Sequence, residues 1–196
     1  YAVPIRIMGF CYVYDKLTRE KQRVIRDVVK RDIARLVASQ HDKLGGWRYY
    51  LHPKKDRDID FSITQWGVLA IYEAHRIGIE MNKATLAKCM RIYRASQHKS
   101  GGWGYMPPTA RRGFRLQPYM SMTCAGLASM HILTSILDPR GGCPCVGTSS
   151  RRSRHDNYRR IDAALEWVIR EYIDSLENAF NDLGNGIAWD GDHAAV

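Results

Sequence analysis

Three carboxylates stand at alternate positions, Asp56, Asp58 and Asp60, and Ser62 and Thr64 continue the spacing. Carboxylates this close shift one another's acidity, which is how a general acid or base is tuned. Lys54, Lys55 and Arg57 are interleaved with them, and Arg111, Arg112 and Arg115 lie in a second loop ahead of Tyr119. Cations gathered beside helix N-termini suit an anion. Against these readings, an alternating acidic run in a loop is ordinarily a solvated cluster, and basic loop residues are ordinarily surface charge. Cys143-Pro144-Cys145 is read first as a pair of loosely packed thiols, with a disulfide or a metal clip as alternatives. Cys11, Cys89 and Cys124 fall in helical or apolar stretches, so the five cysteines do not make a disulfide framework.

The elements that must position these groups are set by a repeated phrase. Ala38-Ser39-Gln40-His41 followed by Gly45-Gly46-Trp47-Arg48-Tyr49 recurs as Ala95-Ser96-Gln97-His98 followed by Gly101-Gly102-Trp103-Gly104-Tyr105, about 56 residues later. Ser62-Ile63-Thr64 with Gly67 is answered by Ser121-Met122-Thr123 with Gly126. A shared period across helix end, loop and next helix start indicates a repeat architecture. Asn181 to Trp189 reads as a degraded third copy.

The stretch from Pro4 to about Leu17 is apolar nearly all round and suits a buried helix, a strand being the alternative over so short a run. From Arg19 to Ser39, capped by Thr18, the apolar positions Val24, Ile25, Val28, Val29, Leu36 and Val37 fall on one face, which marks an outer helix. Ser62 to Gly78 is apolar over most of its circumference and reads as an inner helix with Gly78 as its C-cap. Asn82 caps an outer helix, Lys83 to Gln97, and Tyr119 to Leu137 is inner again. A Gly/Ser/Arg insertion is expected over 140–157, before a last amphipathic helix with Tyr158, Ile161, Leu165, Val168, Tyr172 and Leu176 on its stripe. The fold expected is all-α in one domain over 1–196, with units at roughly 5–61, 62–120 and 121–189.

Composition narrows the class. The chain of 196 residues is 45% hydrophobic and 26% charged, ordinary for a water-facing domain. No apolar run reaches the roughly 20 residues that span a bilayer. Its net charge of +10 raises nucleic acid as a partner, yet no nucleic-acid motif accompanies it and the basic residues are partly spread along amphipathic helices. As a nucleic-acid binder the chain would gather Arg151, Arg152, Arg154, Arg159 and Arg160 on one face. The start at Tyr1 rather than Met leads to the expectation that a preceding segment, a targeting signal included, has been removed, and compartment stays open.

Alternating inner and outer helices, Gln and Gly-Gly-Trp after each outer helix, and Asp60-Phe61-Ser62-Ile63-Thr64 opening an inner one resemble the squalene cyclase and protein prenyltransferase β-subunit superfamily of α/α toroids. The resemblance implies that Gln40, Trp47, Gln97 and Trp103 are structural, tying neighbouring outer helices together. It implies an Asp-x-Asp-Asp-Thr acid for cyclases, and here the proton donor's place is taken by Ser62. For prenyltransferases it implies a zinc site of Asp, Cys and His, which maps onto Asp60, Ser62 and Tyr119, so one ligand of three is kept and no metal site is expected. Cations three and six residues before the Asp, which bind diphosphate in the family, map onto Arg57 and Lys54. Only about three helix pairs are visible, so a partial ring is expected.

The leading expectation is a prenyltransferase-like and squalene cyclase-like repeat protein that binds a hydrophobic isoprenoid-like or peptide ligand in its cavity without catalysis or cofactor. The alternatives are a divergent transferase or lyase acting on a prenyl diphosphate, with Asp60 and Asp58 as catalytic groups, and a scaffold within a larger protein. In either ligand-binding case Lys54, Arg57, Trp66, Arg115 and Tyr119 are the contact candidates. A remainder of the chain, the first choice, or a homodimer, or the third-copy remnant and the ends folded back as lids, is expected to complete the ring, because terminal inner helices otherwise expose apolar faces.

Overall fold

The computed structural model describes residues 2–49, 58–108, 117–138 and 151–184, with side chains in the last stretch from 156 to 178. Among the described residues the protein is all-helical: α1 (Ala2–Val13), a 3-10 turn (Tyr14–Lys16), α2 (Arg19–Ala38), α3 (Phe61–Arg76), α4 (Lys83–Ser96), α5 (Met120–Leu137) and α6 (Arg151–Gly184). Helices α1, α3 and α5 form a row, α1 packing on α3 and α3 on α5. Helix α2 flanks α1 and α3, while α4 and α6 flank α5.

Local chemistry fixes the ends of these helices. Asp60 caps α3, its Oδ1 accepting from the Ile63 N–H at 2.7 Å, which satisfies one of the donors that a first turn leaves free. Asn82 caps α4 in the same way, accepting from the Ala84 N–H at 2.8 Å. Gly78, at φ +78°, turns the chain out of α3. Thr18 stands at the N-cap of α2 but its side chain makes no capping bond.

The row carries the small and apolar positions. Phe61, Ile63, Val68, Ala70, Ile71 and Ala74 of α3 are buried, as are Ala125, Met130 and Leu133 of α5. Among described helices α5 is long and apolar enough to cross a membrane by length and composition. Its packing between α3, α4 and α6 gives that composition an ordinary cause.

Two expectations change. Helix α1 is not buried all round: Pro4, Ile7 and Cys11 are buried, while Ile5, Tyr12 and Val13 are exposed. It stands at the end of the row, with one neighbour in the row instead of two. Helix α6 begins at Arg151, inside the stretch expected to be an insertion, and runs through Asn181 to Gly184, the first part of the expected third copy of the phrase. Its buried stripe is Asn157, Ile161, Ala164 and Trp167, leaving Leu165, Tyr172 and Leu176 exposed. The other expected insertion residues and Asn185 to Trp189 lie outside the described residues.

Candidate functional site

Each copy of the repeated phrase builds the same set of hydrogen bonds. Gln40 Nε2 donates to the carbonyl of Gly45 at 2.7 Å and across to that of Thr85, in the first turn of α4, at 3.0 Å. Gln97 Nε2 donates to Gly101 O and, across to α6, to Arg160 O, both at 2.8 Å. The indole of Trp47 donates to Leu36 O at 2.8 Å and that of Trp103 to Tyr93 O at 2.9 Å. His41 Nδ1 accepts from the Leu44 N–H and His98 Nδ1 from the Ser100 N–H, each at 3.2 Å. Flanking helix, turn and next flanking helix are thereby fastened.

The two glycines of the turn are required by space. Gly45 and Gly101 have φ of +76° and +106°, a region closed to most side chains. A Cβ would also strike the carbonyl of Lys88 in the first copy and of Ala163 in the second.

Thr64 and Thr123 belong to this clasp. The backbone N–H of Trp47 donates to Thr64 Oγ1 and that of Trp103 to Thr123 Oγ1, both at 3.1 Å, and Thr64 Oγ1 donates onward to Asp60 O at 2.7 Å. Gly67 and Gly126, one helical turn on, receive the indoles: an added Cβ would lie 2.8 Å from Trp47 Cε3 and 2.5 Å from Trp103 Cδ2. Sequence comparison found these residues as repeat markers but not this role. The signal that could have found it was their recurrence in step with the tryptophans.

Asp60 therefore serves as a helix cap, and at 1% exposure it faces the interior. Its charge, after burial and Cys89, helps hold the Tyr93 hydroxyl well above the usual phenol range, with Ser129 acting the other way. The Phe61 and Tyr93 rings lie 4.9 Å apart. Asp58 is half-buried, and its Oδ1 accepts from the adjacent Ile59 N–H at 2.9 Å. Tyr119 occupies on α5 the place that Asp60 occupies on α3: the Asp60 N–H bonds Trp47 O, and the Tyr119 N–H bonds Trp103 O. The tyrosine is 42% exposed, so the two equivalent positions face different surroundings. Lys54, Arg57 and Arg115 lie outside the described residues, as do Asp56, Arg111 and Arg112.

Trp66 is half-buried on a stripe of α3 that Leu69 and Tyr72 continue. Flanking helices cover the other side of the row, so each row helix keeps one less covered stripe. On α1 this carries Ile5, Gly9 and Tyr12, and on α5 it carries Ser121, Cys124, Ala128 and His131. Together they present an aromatic and small-residue surface with few charges. A separate pocket of about 190 Å³ opens beside the first clasp, lined by Pro4, Leu36, Trp47, Arg48, Tyr49 and Ile63. No sequence pattern marked it, because it joins residues from three elements. Among the described residues no group of three or more His, Cys, Asp or Glu side chains is placed to hold a metal ion. No family model, curated protein or solved structure matches this chain.

Proposed function

We propose that the chain is part of a toroid-type helical repeat, resembling the squalene cyclase and prenyltransferase β-subunit architecture, that binds an elongated apolar ligand along its row helices without catalysing a reaction. The carrying observation is the less covered stripe of α3 over Trp66, Leu69 and Tyr72, of which Tyr72 is exposed, continued by the small residues of α5. An aromatic surface with small neighbours favours an extended hydrocarbon or a peptide with apolar side chains. The absence of catalysis is supported by Asp60: the carboxylate that could act as an acid is spent as a buried helix cap.

The test uses the purified chain with a fluorescent isoprenol, the matching prenyl diphosphate and an extended apolar peptide. Saturable binding that Trp66→Ala weakens about tenfold, with Trp66→Phe intermediate, is the expected result. Turnover of the diphosphate that depends on Asp60 would replace this reading with the transferase alternative. Failure of all three probes to bind would remove the ligand-binding reading and leave the scaffold role, which the doubled clasp favours on its own.

A further inference from the structure

The clasp bonds give the helices a common register. The first clasp touches α4 at Thr85 and Lys88, and the second touches α6 at Arg160 and Ala163. Leu36 and Tyr93 correspond, since each accepts from an indole. Carried back along the same register, Val28 and Arg31 of α2 correspond to Thr85 and Lys88. No described clasp occupies that place. Instead a groove of about 410 Å³ lies open between α1 and α2, lined by Arg6, Phe10, Val28, Arg31, Asp32 and Arg35.

The opposite edge is complementary. Leu165 of α6 corresponds to Met90 of α4 and Ile33 of α2, which are 4% and 6% exposed, whereas Leu165 is 42% exposed. Ile169, Tyr172 and Ile173 extend the exposed apolar face. Helix α2 has a row helix on each side, α1 and α3, while α6 packs on α5. From Glu171 onward the sequence carries Glu171, Asp174, Glu177, Asp182, Asp190 and Asp192 and no Lys or Arg. The groove on α2 is edged by the exposed Arg31 and Arg35. The two edges lie at opposite ends of the row, so the α6 face and the groove of one chain cannot meet each other.

We infer that a second copy of this chain sets the acidic end of its α6 against the α1–α2 groove of the first. The exposed face of α1 then covers Leu165, Ile169 and Tyr172 of its neighbour, as a next row helix would. The contact is head to tail, and two such contacts close a two-copy ring.

Sedimentation at low salt is expected to show a dimer that weakens as salt rises, because exposed charges steer the contact. Reversing the groove with Arg31→Glu and Arg35→Glu, or the α6 end with Asp174→Lys and Glu177→Lys, should each weaken the dimer about tenfold or more. An equimolar mixture of the two variants should pair again, since each reversed edge then meets a matching one. These residues are exposed, and circular dichroism checks that helix content is kept. As a second readout, zero-length cross-linking of labelled with unlabelled wild-type chain should join Lys21, which shares a helical face with Val28 and Arg35, to a carboxylate beyond Glu171 of another copy. A monomer throughout the micromolar range, cross-links confined within single chains, or a mixture that fails to pair would overturn the proposal.

Discussion

The side-chain amide of Gln40 reaches from the end of α2 to the carbonyl of Thr85 in α4, 3.0 Å away, and its second bond goes to Gly45 at 2.7 Å. Both bonds are buried. Gln40→Ala leaves two carbonyls without this donor, and the expected loss is about 2 kcal/mol in urea unfolding. Gln97→Ala should cost less, because its equivalent site is only partly buried. Equal losses would mean that burial does not set the strength of this clasp.

Gly67 and Gly126 offer a sharper contrast with Gly9. A methyl group on Gly67 or Gly126 would press into a fully enclosed indole, so Gly67→Ala and Gly126→Ala are expected to destabilise by about 1 to 3 kcal/mol. Nothing lies within 4 Å of a Cβ built on Gly9 in α1. There the gain in helix propensity should dominate, and Gly9→Ala is expected to stabilise by about 0.5 to 1 kcal/mol. Thermal unfolding of the three variants side by side checks the ordering.

Much of this was legible in the sequence because the repeat encodes both periodicity and contact. Of the stripe read on α2, Val29 and Leu36 are buried while Val24 is exposed, and Asn82 caps α4 as its type implies. The Gln and Trp of each phrase were expected to join helices; each Gln does, through bonds to carbonyls of α4 and α6, whereas each Trp bonds a carbonyl of its own preceding helix, Leu36 in α2 and Tyr93 in α4. Periodicity could not show how α1 and α6 would stand, since Ile5 and Tyr12, or Leu165 and Tyr172, look like core residues until the neighbour that would cover them is missing among the described residues. Nor could residue type reveal the role of Asp60. A carboxylate near a helix start can cap or catalyse, and it is the burial of Asp60 and its 2.7 Å bond from the Ile63 N–H that show the capping.

The cysteines should divide by burial. Burial pushes the Cys11 thiol up to about 11, with Glu73 adding to the rise and Arg76 opposing it, and burial raises Cys89 further. The thiolate is the reactive form, so at pH 8 both should resist alkylation in the native protein. Cys124 is exposed and should be modified within the same time. Both pKa values are raised by folding, so the protection of Cys11 and Cys89 is present at neutral pH and their stabilising contribution falls as pH climbs past the ordinary thiol value of about 8.5. Peptide mapping after a short alkylation, repeated in denaturant, checks this: fast native labelling of Cys89 would contradict the packing around α4.

The cap at Asp60 separates structure from chemistry in a single pair of variants. Asn is as good an N-cap as Asp, and both accept from the backbone through a side-chain oxygen. If capping is the residue's work, Asp60→Asn should keep most of the stability, while Asp60→Ala should lose about 1 kcal/mol or more for the lost cap. Ligand binding along the row helices should then be unchanged in the Asn variant, because Asp60 faces away from solvent and Trp66 is untouched. A carboxylate needed for its charge or its proton gives the opposite pattern: the Asn variant folds as well as wild type yet loses binding or turnover. Chemical unfolding together with titration of the fluorescent isoprenol on both variants distinguishes the two outcomes.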